Sequence, residues 1–285
     1  MSILDRFTFG LYEKALHARF DWPERLELAK KAGYDFVEIS IDESDERLAR
    51  LYWDKEKKVQ FVRTILETGV PVPTMCLSGH RRYPIGTSDI GIREKGMEIM
   101  RLAIDFAADT GVRIVQLAGY DAWYDEPSTA ETAKNYENNI KVSLDYAAKK
   151  GITLAIENMG IPFMDSFEKV MYYVDKFDSP YLQIYPDIGN LSAMNLKLAD
   201  EFPKARGHIV GIHVKDTTEG EVRRIPFNKG TVDFVNDFRI ILQSGFTGPL
   251  LIEMWADERE DTFEEVRDAR LFVIEKIIAA EKSFP

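Results

Sequence analysis

The stretch KGITLAIEN, residues 150–158, combines the two signals that decide the fold. Gly151 follows a predicted amphipathic helix, and glycine commonly ends a helix because it adopts the left-handed backbone conformation without strain. The apolar run after Gly151 is typical of a parallel strand that is buried on both faces. The run stops at Glu157, so a carboxylate stands where the strand ends. A helix, a glycine and an apolar strand together form one unit of an α/β fold.

The same unit recurs along the chain, and its copies read AGYDFVEIS (32–40), TGVPVPTMCLS (68–78), TGVRIVQLAG (110–119), RGHIVGIHV (206–214) and SGFTGPLLIEM (244–254). Two further strands, FTFGLY (7–12) and SPYLQIYPD (179–187), bring the predicted number to eight. Eight alternating strands and helices in a chain of 285 residues predict a (β/α)8 TIM barrel. The alternative is a doubly wound sheet, but its first strand usually leads into a glycine-rich phosphate loop, whereas LYEKAL (11–16) follows here.

Composition limits the classes of function. Lys and Arg number 37 and Asp and Glu 48, so the net charge is −11, which argues against a nucleic-acid partner. The single cysteine, Cys76, excludes an internal disulfide and fits a reducing compartment. The sequence shows neither a signal peptide nor an apolar run of about 20 residues, the length that spans a membrane. We therefore expect a cytoplasmic protein without membrane contact, with residues 1–285 forming one TIM-barrel domain.

Four strand ends carry side chains that bind metals. They are Glu157 in LAIEN, Asp187 in IYPDIGN, His213 in GIHVKD and Glu253 in LLIEMW. Each of them alone is more often a helix cap, a surface ion pair or a satisfied buried histidine. In a TIM barrel, however, the ends of consecutive strands meet at one rim, where active sites lie. Three carboxylates and one imidazole there predict a site for one divalent cation, Mn²⁺, Zn²⁺, Co²⁺ or Mg²⁺.

Several runs make the family recognisable: GLYEKAL (10–16), FVEISIDESDERLARL (36–51), MCLSGHRRYPIG (75–86), QLAGYD (116–121), YPDIGNLSA (185–193), HVKDT (213–217) and LIEMW (251–255). They resemble the L-ribulose-5-phosphate 3-epimerases, also called L-xylulose-5-phosphate 3-epimerases, of the xylose-isomerase-like TIM barrels. The resemblance extends from about Phe9 to Trp255. It implies an isomerase of carbohydrate metabolism that acts on a sugar phosphate, as in L-ascorbate degradation. It also implies that Glu157, Asp187, His213 and Glu253 hold the metal.

The resemblance further implies that Glu157 and Glu253 carry the proton chemistry. Epimerisation at C3 of a ketose removes a proton next to the carbonyl and returns it on the opposite face. Two carboxylates that flank the substrate can serve as base and acid around a metal-stabilised enediolate. Lys215 and Asn190 are candidate substrate ligands. In an extended strand Lys215 points to the same side as His213, although a salt-bridged lysine is an equal alternative.

A basic loop is the first candidate for binding the phosphate. His80, Arg81 and Arg82 follow the third strand, and guanidinium groups bind phosphate in a bidentate manner. A second candidate is the loop after the seventh strand, with Arg223, Arg224 and Lys229. That loop departs from the family, because Asn228 and Lys229 stand where a Gly-Glu pair is expected. Which of the two loops holds the phosphate is left open.

Other functions fit parts of the pattern. An aldose–ketose isomerase, or an epimerase of another sugar phosphate such as a hexulose 6-phosphate, would use the same ligands. A DNA-repair endonuclease of the related barrel family needs many histidines, but this chain has 4 and is acidic. A sugar-binding regulator does not need two opposed carboxylates. Barrels of this kind suggest a homodimer, while the sequence itself leaves the oligomeric state open.

Overall fold

The computed structural model describes residues 2–124 and 126–284. In these residues the predicted strands form one parallel sheet, made of Phe7–Tyr12 (β1), Phe36–Ile41 (β2), Thr74–Leu77 (β3), Ile114–Ala118 (β4), Thr153–Glu157 (β5), Leu182–Ile184 (β6), Ile212–Val214 (β7) and Gly248–Ile252 (β10). The numbering follows the chain, so the antiparallel hairpin Asp216–Thr218 (β8) and Glu221–Ile225 (β9) comes before β10. The sequence analysis did not predict this hairpin.

The sheet closes into a barrel. Its strand order is β6-β5-β4-β3-β2-β1-β10-β7, so β6 and β7 stand at its two ends. Two isolated parallel bridges, Ile184 with Ile209 and Asp187 with His213, join these ends. All six positions of β2 are buried, as expected for a parallel strand covered on both faces. The TIM barrel predicted from the repeated unit is confirmed.

Helices surround the barrel: Trp22–Lys31 (α1), Asp45–Leu48 (α2), Lys55–Thr68 (α3), Ile90–Thr110 (α4), Ala130–Lys150 (α5), Phe167–Phe177 (α6), Ile188–Ala193 (α7), Leu198–Glu201 (α8), Phe234–Ser244 (α9) and Phe263–Lys282 (α10). Among the described residues, none of these helices offers an apolar stretch of the length that a bilayer crossing requires. The C-terminal helix α10 packs against α9 and buries Val273 and Ile277, so its apolar face lies on its own barrel.

Capping residues stabilise both ends of the helices. Asp21 caps α1 and accepts a hydrogen bond from the Glu24 backbone, while the Glu24 side chain accepts one from Asp21 in return. Gly111 and Gly151 end α4 and α5 with φ of 89° and 67°, the left-handed conformation that glycine adopts without strain. These turns let each helix reverse into the next strand, which brings the strand ends to one rim.

Candidate active site

The four side chains predicted to bind a metal converge at the carboxyl ends of the strands. Glu157 is the last residue of β5, Asp187 follows β6, His213 lies in β7 and Glu253 follows β10. One ligand atom from each lies within 4.8 Å of the other three, and all four residues are buried. We refer to these residues as the four-residue cluster.

Asp187 reaches the cluster because it caps a short helix. Its Oδ1 accepts a hydrogen bond from the Asn190 backbone at the start of α7 (2.9 Å). Its own backbone N–H donates to Oδ1 of Asn158 (2.8 Å), which fixes the turn. The second carboxylate oxygen, Oδ2, is therefore directed inward, where it forms an ion pair with Lys215 (2.6 Å). The cap predicted as the ordinary role of Asp187 is present, and it orients the carboxylate.

The His213 imidazole lies between carboxylates. Its Nδ1 lies 3.3 Å from Glu157 and 3.7 Å from Glu253, whereas its Nε2 lies 3.2 Å from Glu38. The Tyr185 ring packs edge-on against the imidazole, with centroids 4.7 Å apart. Neither ring nitrogen has a well-directed hydrogen bond among the described residues. A buried, unsatisfied nitrogen that faces two carboxylates could serve as a ligand of a divalent cation.

Glu157 and Glu253 are held by different neighbours. Oε2 of Glu157 accepts a hydrogen bond from the Gln116 amide, and Oε1 accepts one from the Asn190 amide (3.3 Å). Oε2 of Glu253 accepts one from the Lys215 ammonium (3.0 Å). Sequence reasoning missed Gln116, although it stands in the apolar strand QLAGYD as a polar residue that is fully buried. Amide donors at one carboxylate and an ammonium at the other give the two groups unequal surroundings.

Burial and charge shift the pKa of the cluster in opposite directions. Burial raises the pKa of Asp187 to about 7, against the attraction of Lys215. Burial also acts to raise the pKa of Glu253, but Lys215 and His213 outweigh it and hold that pKa below its usual value. The pKa of Lys215 is raised, because Asp187 and Glu253 overcome its desolvation. Burial acts to lower the pKa of His213, but the carboxylates of Glu38, Glu157 and Glu253 outweigh it and hold that pKa well above its usual value.

The backbone of Gly189 lies directly against Lys215 and helps to hold the lysine in the site. A Cβ on Gly189 would lie 2.7 Å from Cγ of Lys215 and 2.8 Å from its carbonyl oxygen, so a side chain at Gly189 would displace the lysine. Thr217 donates from its hydroxyl to the Gly189 carbonyl (2.8 Å) and holds the same turn. The lysine thus lies among the cluster carboxylates, as its spacing from His213 predicted.

A cavity opens above the cluster, and it is lined by residues from the carboxyl ends of seven barrel strands and the loops that follow them. Its lining includes Tyr12, Lys14, Cys76, Ser78, Arg81, Ala118, Tyr120, Met159, Asn190, Lys215, Val222, Arg223 and Trp255 together with Glu157 and Glu253. Val222 and Arg223 belong to the hairpin of β8 and β9, which covers this side of the barrel. Lys14, Arg81 and Arg223 bring three cationic side chains to the cavity. Lys14 forms an ion pair with Asp42, and Arg81 forms one with Glu43 (2.7 Å).

The structure separates the three residues of the predicted basic loop. Arg81 lines the cavity, and its guanidinium lies over the Tyr120 ring, 5.7 Å from the ring centroid. His80 is buried below the loop, where Nε2 contacts the Gly96 carbonyl (3.2 Å) and burial lowers its pKa to about 4. Arg82 points outward to Asp45 (2.8 Å). Arg81 is thus the member of this loop that is brought to the site.

The second basic loop is divided in the same way. Arg223 lines the cavity, while Arg224 forms a two-pronged ion pair with Asp257 (2.8 and 2.9 Å) outside it. Lys229 is exposed, and its backbone N–H donates to Asp216 (3.2 Å). The departure at Asn228 and Lys229 therefore affects a turn that is tied to Asp216, and the Lys229 side chain is not among the groups that line the cavity.

The model of the xylose isomerase-like TIM barrel family matches residues 26–274. The chain belongs to this family. It is 48% identical over 268 residues to the L-ribulose-5-phosphate 3-epimerase UlaE of Escherichia coli O1:K1 / APEC, and the match covers 94% of each chain. The proteins of the same name in Escherichia coli strain SMS-3-5 / SECEC and O157:H7 are equally similar. The isomerase assignment made from the sequence is confirmed.

Solved structures of similar fold support the architecture. The D-allulose 3-epimerase of Methylomonas sp. in complex with D-allulose superposes with a TM-score of 0.78 at 18% identity, and the match covers 95% of this chain and 97% of that one. The 3-keto-D-glucoside 4-epimerase YcjR of E. coli gives a TM-score of 0.76 at 20% identity over 94% and 99% of the two chains. At such identities the likeness shows the shared barrel.

Proposed function

We propose that the chain is a divalent-metal-dependent 3-epimerase that interconverts L-ribulose 5-phosphate and L-xylulose 5-phosphate. One observation carries the proposal: Glu157 and Glu253 come from different strands, and both reach the same imidazole nitrogen of His213, at 3.3 and 3.7 Å. Two carboxylates that approach one centre from different strands suit a reaction that removes a proton on one face and returns it on the other. The high identity to the UlaE relatives supports the substrate.

The four-residue cluster fits a divalent cation. Its donors are three carboxylates and one imidazole, the types that Mn²⁺, Zn²⁺, Co²⁺ and Mg²⁺ accept in different proportions. Nδ1 of His213 is buried and lacks a well-directed hydrogen bond among the described residues, so it is available as a ligand. A bound divalent cation supplies Lewis-acid stabilisation of the negative charge that develops on substrate oxygens.

Glu157 and Glu253 then act on the C3 proton. One carboxylate removes it from the face it adjoins, and the other, after taking up a proton from solvent, delivers that proton to the opposite face; the first carboxyl group then returns its proton to solvent. The roles exchange for the reverse reaction, so either residue acts as base for one epimer. Gln116 and Asn190 hold Glu157 by donating hydrogen bonds to its two oxygens, which keeps the carboxylate aligned.

Lys215 is proposed to bind the substrate oxygens next to the reacting carbon. Its ammonium is buried among Asp187 and Glu253, and its raised pKa keeps it charged at neutral pH. A fixed positive charge at this position stabilises negative charge that forms on an adjacent oxygen. Asn190, whose Oδ1 is buried without a partner among the described residues, is proposed to accept a hydrogen bond from a substrate hydroxyl.

The phosphate is proposed to bind at the cationic side of the cavity, near Arg81, Arg223 and Lys14. Arg81 is largely buried, with 11% of its side chain exposed, and it is anchored by Glu43 and Tyr120. A partly desolvated guanidinium binds a phosphate more strongly than an exposed one does. The cavity measures about 40 Å³, so a sugar phosphate enters only if the covering hairpin with Val222 and Arg223 moves outward.

Neighbouring arginines allow a matched test of the phosphate site. We expect Arg81→Gln to raise KM for L-ribulose 5-phosphate about 10–100-fold, since a charge-assisted pair with phosphate contributes roughly 1.5–3 kcal/mol. Arg82→Gln is the control, because Arg82 pairs with Asp45 outside the cavity and should change KM less than about twofold. Steady-state kinetics of both variants provide the measurement. Equal effects of the two substitutions would contradict this placement of the phosphate.

The proposed activity is tested by NMR on the Mn²⁺-loaded protein with L-ribulose 5-phosphate in D₂O. Deuterium at C3 together with the appearance of L-xylulose 5-phosphate is the expected result. Exchange at C1 with an aldose product would identify an aldose–ketose isomerase instead. Activity on a hexulose 6-phosphate alone would keep the epimerase and change its substrate.

Other expectations from the sequence stay predictions. They are the assignment of residues 1–285 to one domain, the homodimer, the cytoplasmic location and the place in L-ascorbate degradation.

A further inference from the structure

Glu38 is a buried carboxylate that the proposed chemistry does not use. It lies in the middle of β2, is completely buried, and neither of its side-chain oxygens has a well-directed hydrogen bond among the described residues. Among the described residues, Glu38 forms an ion-pair contact with His213, and its Oε1 lies 3.2 Å from Nε2 of the imidazole. An acidic group so deep in the barrel interior needs a physical explanation.

The contact crosses the barrel interior. β2 pairs with β1 and β3, whereas β7, which carries His213, pairs with β10 and meets β6 through the bridge at Asp187. Glu38 and His213 are therefore joined through their side chains and not through the sheet. The two ring nitrogens face different groups: Nε2 faces Glu38, while Nδ1 faces Glu157 and Glu253 in the four-residue cluster.

Stability alone does not account for Glu38. Transferring a carboxylate into an apolar interior costs free energy that a single partner seldom offsets, so a buried ion pair is weak evidence for a stabilising role. A partner for the remote nitrogen of a metal-binding imidazole has another effect. It fixes the tautomer and the ring orientation, and its loss typically lowers metal affinity about 10–100-fold.

We propose that Glu38 is a positioning residue for the cation site: its carboxylate accepts the Nε2–H of His213, so the lone pair of Nδ1 is directed at the four-residue cluster. The inference rests on the proposed function, because it requires a divalent cation at the cluster. Glu38 itself lies on the far side of the ring from Glu157 and Glu253, and in the part of the chain that the structure describes its contact with the cation site runs through His213. The edge-on Tyr185 ring restricts the remaining rotation of the imidazole.

The experiment compares Zn²⁺ binding to metal-free wild type, Glu38→Gln and Ser40→Ala by isothermal titration calorimetry. Ser40 is the matched control, since it lies two residues further along β2, is equally buried, and its hydroxyl contacts Tyr12 (2.9 Å) instead of His213. We expect Glu38→Gln to weaken Zn²⁺ binding about 10–100-fold and Ser40→Ala to change it less than threefold. The melting temperature of each metal-free protein is measured in parallel, so that a change in folding stability is separated from a change in metal affinity.

A second measurement reads the tautomer directly. In ¹⁵N-histidine-labelled, Zn²⁺-loaded wild type, Nε2 of His213 should carry the proton and Nδ1 the metal. Wild-type affinity in Glu38→Gln, or a protonated Nδ1 in the wild type, would overturn the inference and leave the proposed function standing. A weaker affinity matched by an equal loss of stability in the metal-free variant would show a merely structural role and also overturn it. Failure of the wild type to bind any divalent cation would overturn the proposed function as well.

Discussion

Glu157→Gln and Glu253→Gln are each expected to lower the rate of epimerisation in both directions by about 10²–10⁴-fold, the usual contribution of a general acid or base. The amide keeps the shape of the side chain but can neither accept nor release a proton at neutral pH. Because each epimer presents its C3 proton to only one of the two faces, the loss of either carboxylate blocks one half of the transfer in each direction.

Hydrogen exchange separates this two-base scheme from a simple loss of binding. In D₂O, Glu157→Gln should still exchange the C3 proton of the epimer that faces Glu253, without forming the other epimer, and Glu253→Gln should show the opposite preference. Glu275→Gln is the control, because Glu275 is exposed on α10. The metal content of every variant is measured alongside, since both carboxylates also belong to the cluster. A substantial epimerisation rate in a metal-loaded Glu157→Gln would refute its role.

Removal of the divalent cation is expected to abolish activity and to lower the thermal midpoint of unfolding. A ligand present at about 100 times its Kd stabilises the folded state by ~2.7 kcal/mol. For a chain of this size that amounts to roughly 5 °C. The measurement is calorimetric melting after chelation, followed by addition of Mn²⁺ and an activity assay.

Asp187→Asn tests the contribution of one predicted ligand to metal binding. Asparagine is as good a helix cap as aspartate, so α7 should keep its first turn while the cluster loses one anionic ligand. We expect this variant to lose most of the metal-dependent increase in melting temperature. Asp54→Asn makes the same substitution at the exposed cap of α3 and should retain the increase. Full activity in protein with substoichiometric metal would contradict metal dependence.

The sequence was sufficient to predict the barrel because its signals are local and repeated. Each unit carries an amphipathic helix, a glycine such as Gly111 or Gly151 and an apolar strand, and no distant contact is needed to recognise it. The convergence of the four-residue cluster follows from the topology, since all parallel strands of a barrel end at one rim. Whether the cluster binds a metal stays a prediction.

Other features depend on contacts that sequence patterns do not show. The hairpin of β8 and β9 consists of short strands of mostly polar residues, so no apolar periodicity marks it. Arg81 and Arg82 are adjacent in sequence, yet the helical turn Gly79–Arg81 directs one into the cavity and the other to solvent. Glu38 is visible in the sequence as an acidic residue placed at the end of the predicted second strand, but the pattern gave it no role, because its partner His213 lies on a distant strand across the barrel.

The closure of the barrel between β6 and β7 links folding to metal binding. Few backbone hydrogen bonds among the described residues hold the seam between β6 and β7 together. The Ile184 N–H donates to the His208 carbonyl (3.1 Å), and the His213 N–H donates to the Pro186 carbonyl (2.8 Å). The bridge between Asp187 and His213 places two members of the cluster on opposite sides of this seam. On the proposed function, a cation bound by Asp187 and His213 would hold β6 and β7 together and so stabilise the closed barrel. Part of the free energy of metal binding would then be the free energy of closing the barrel between β6 and β7. A measured metal affinity would therefore include the stability of this closure.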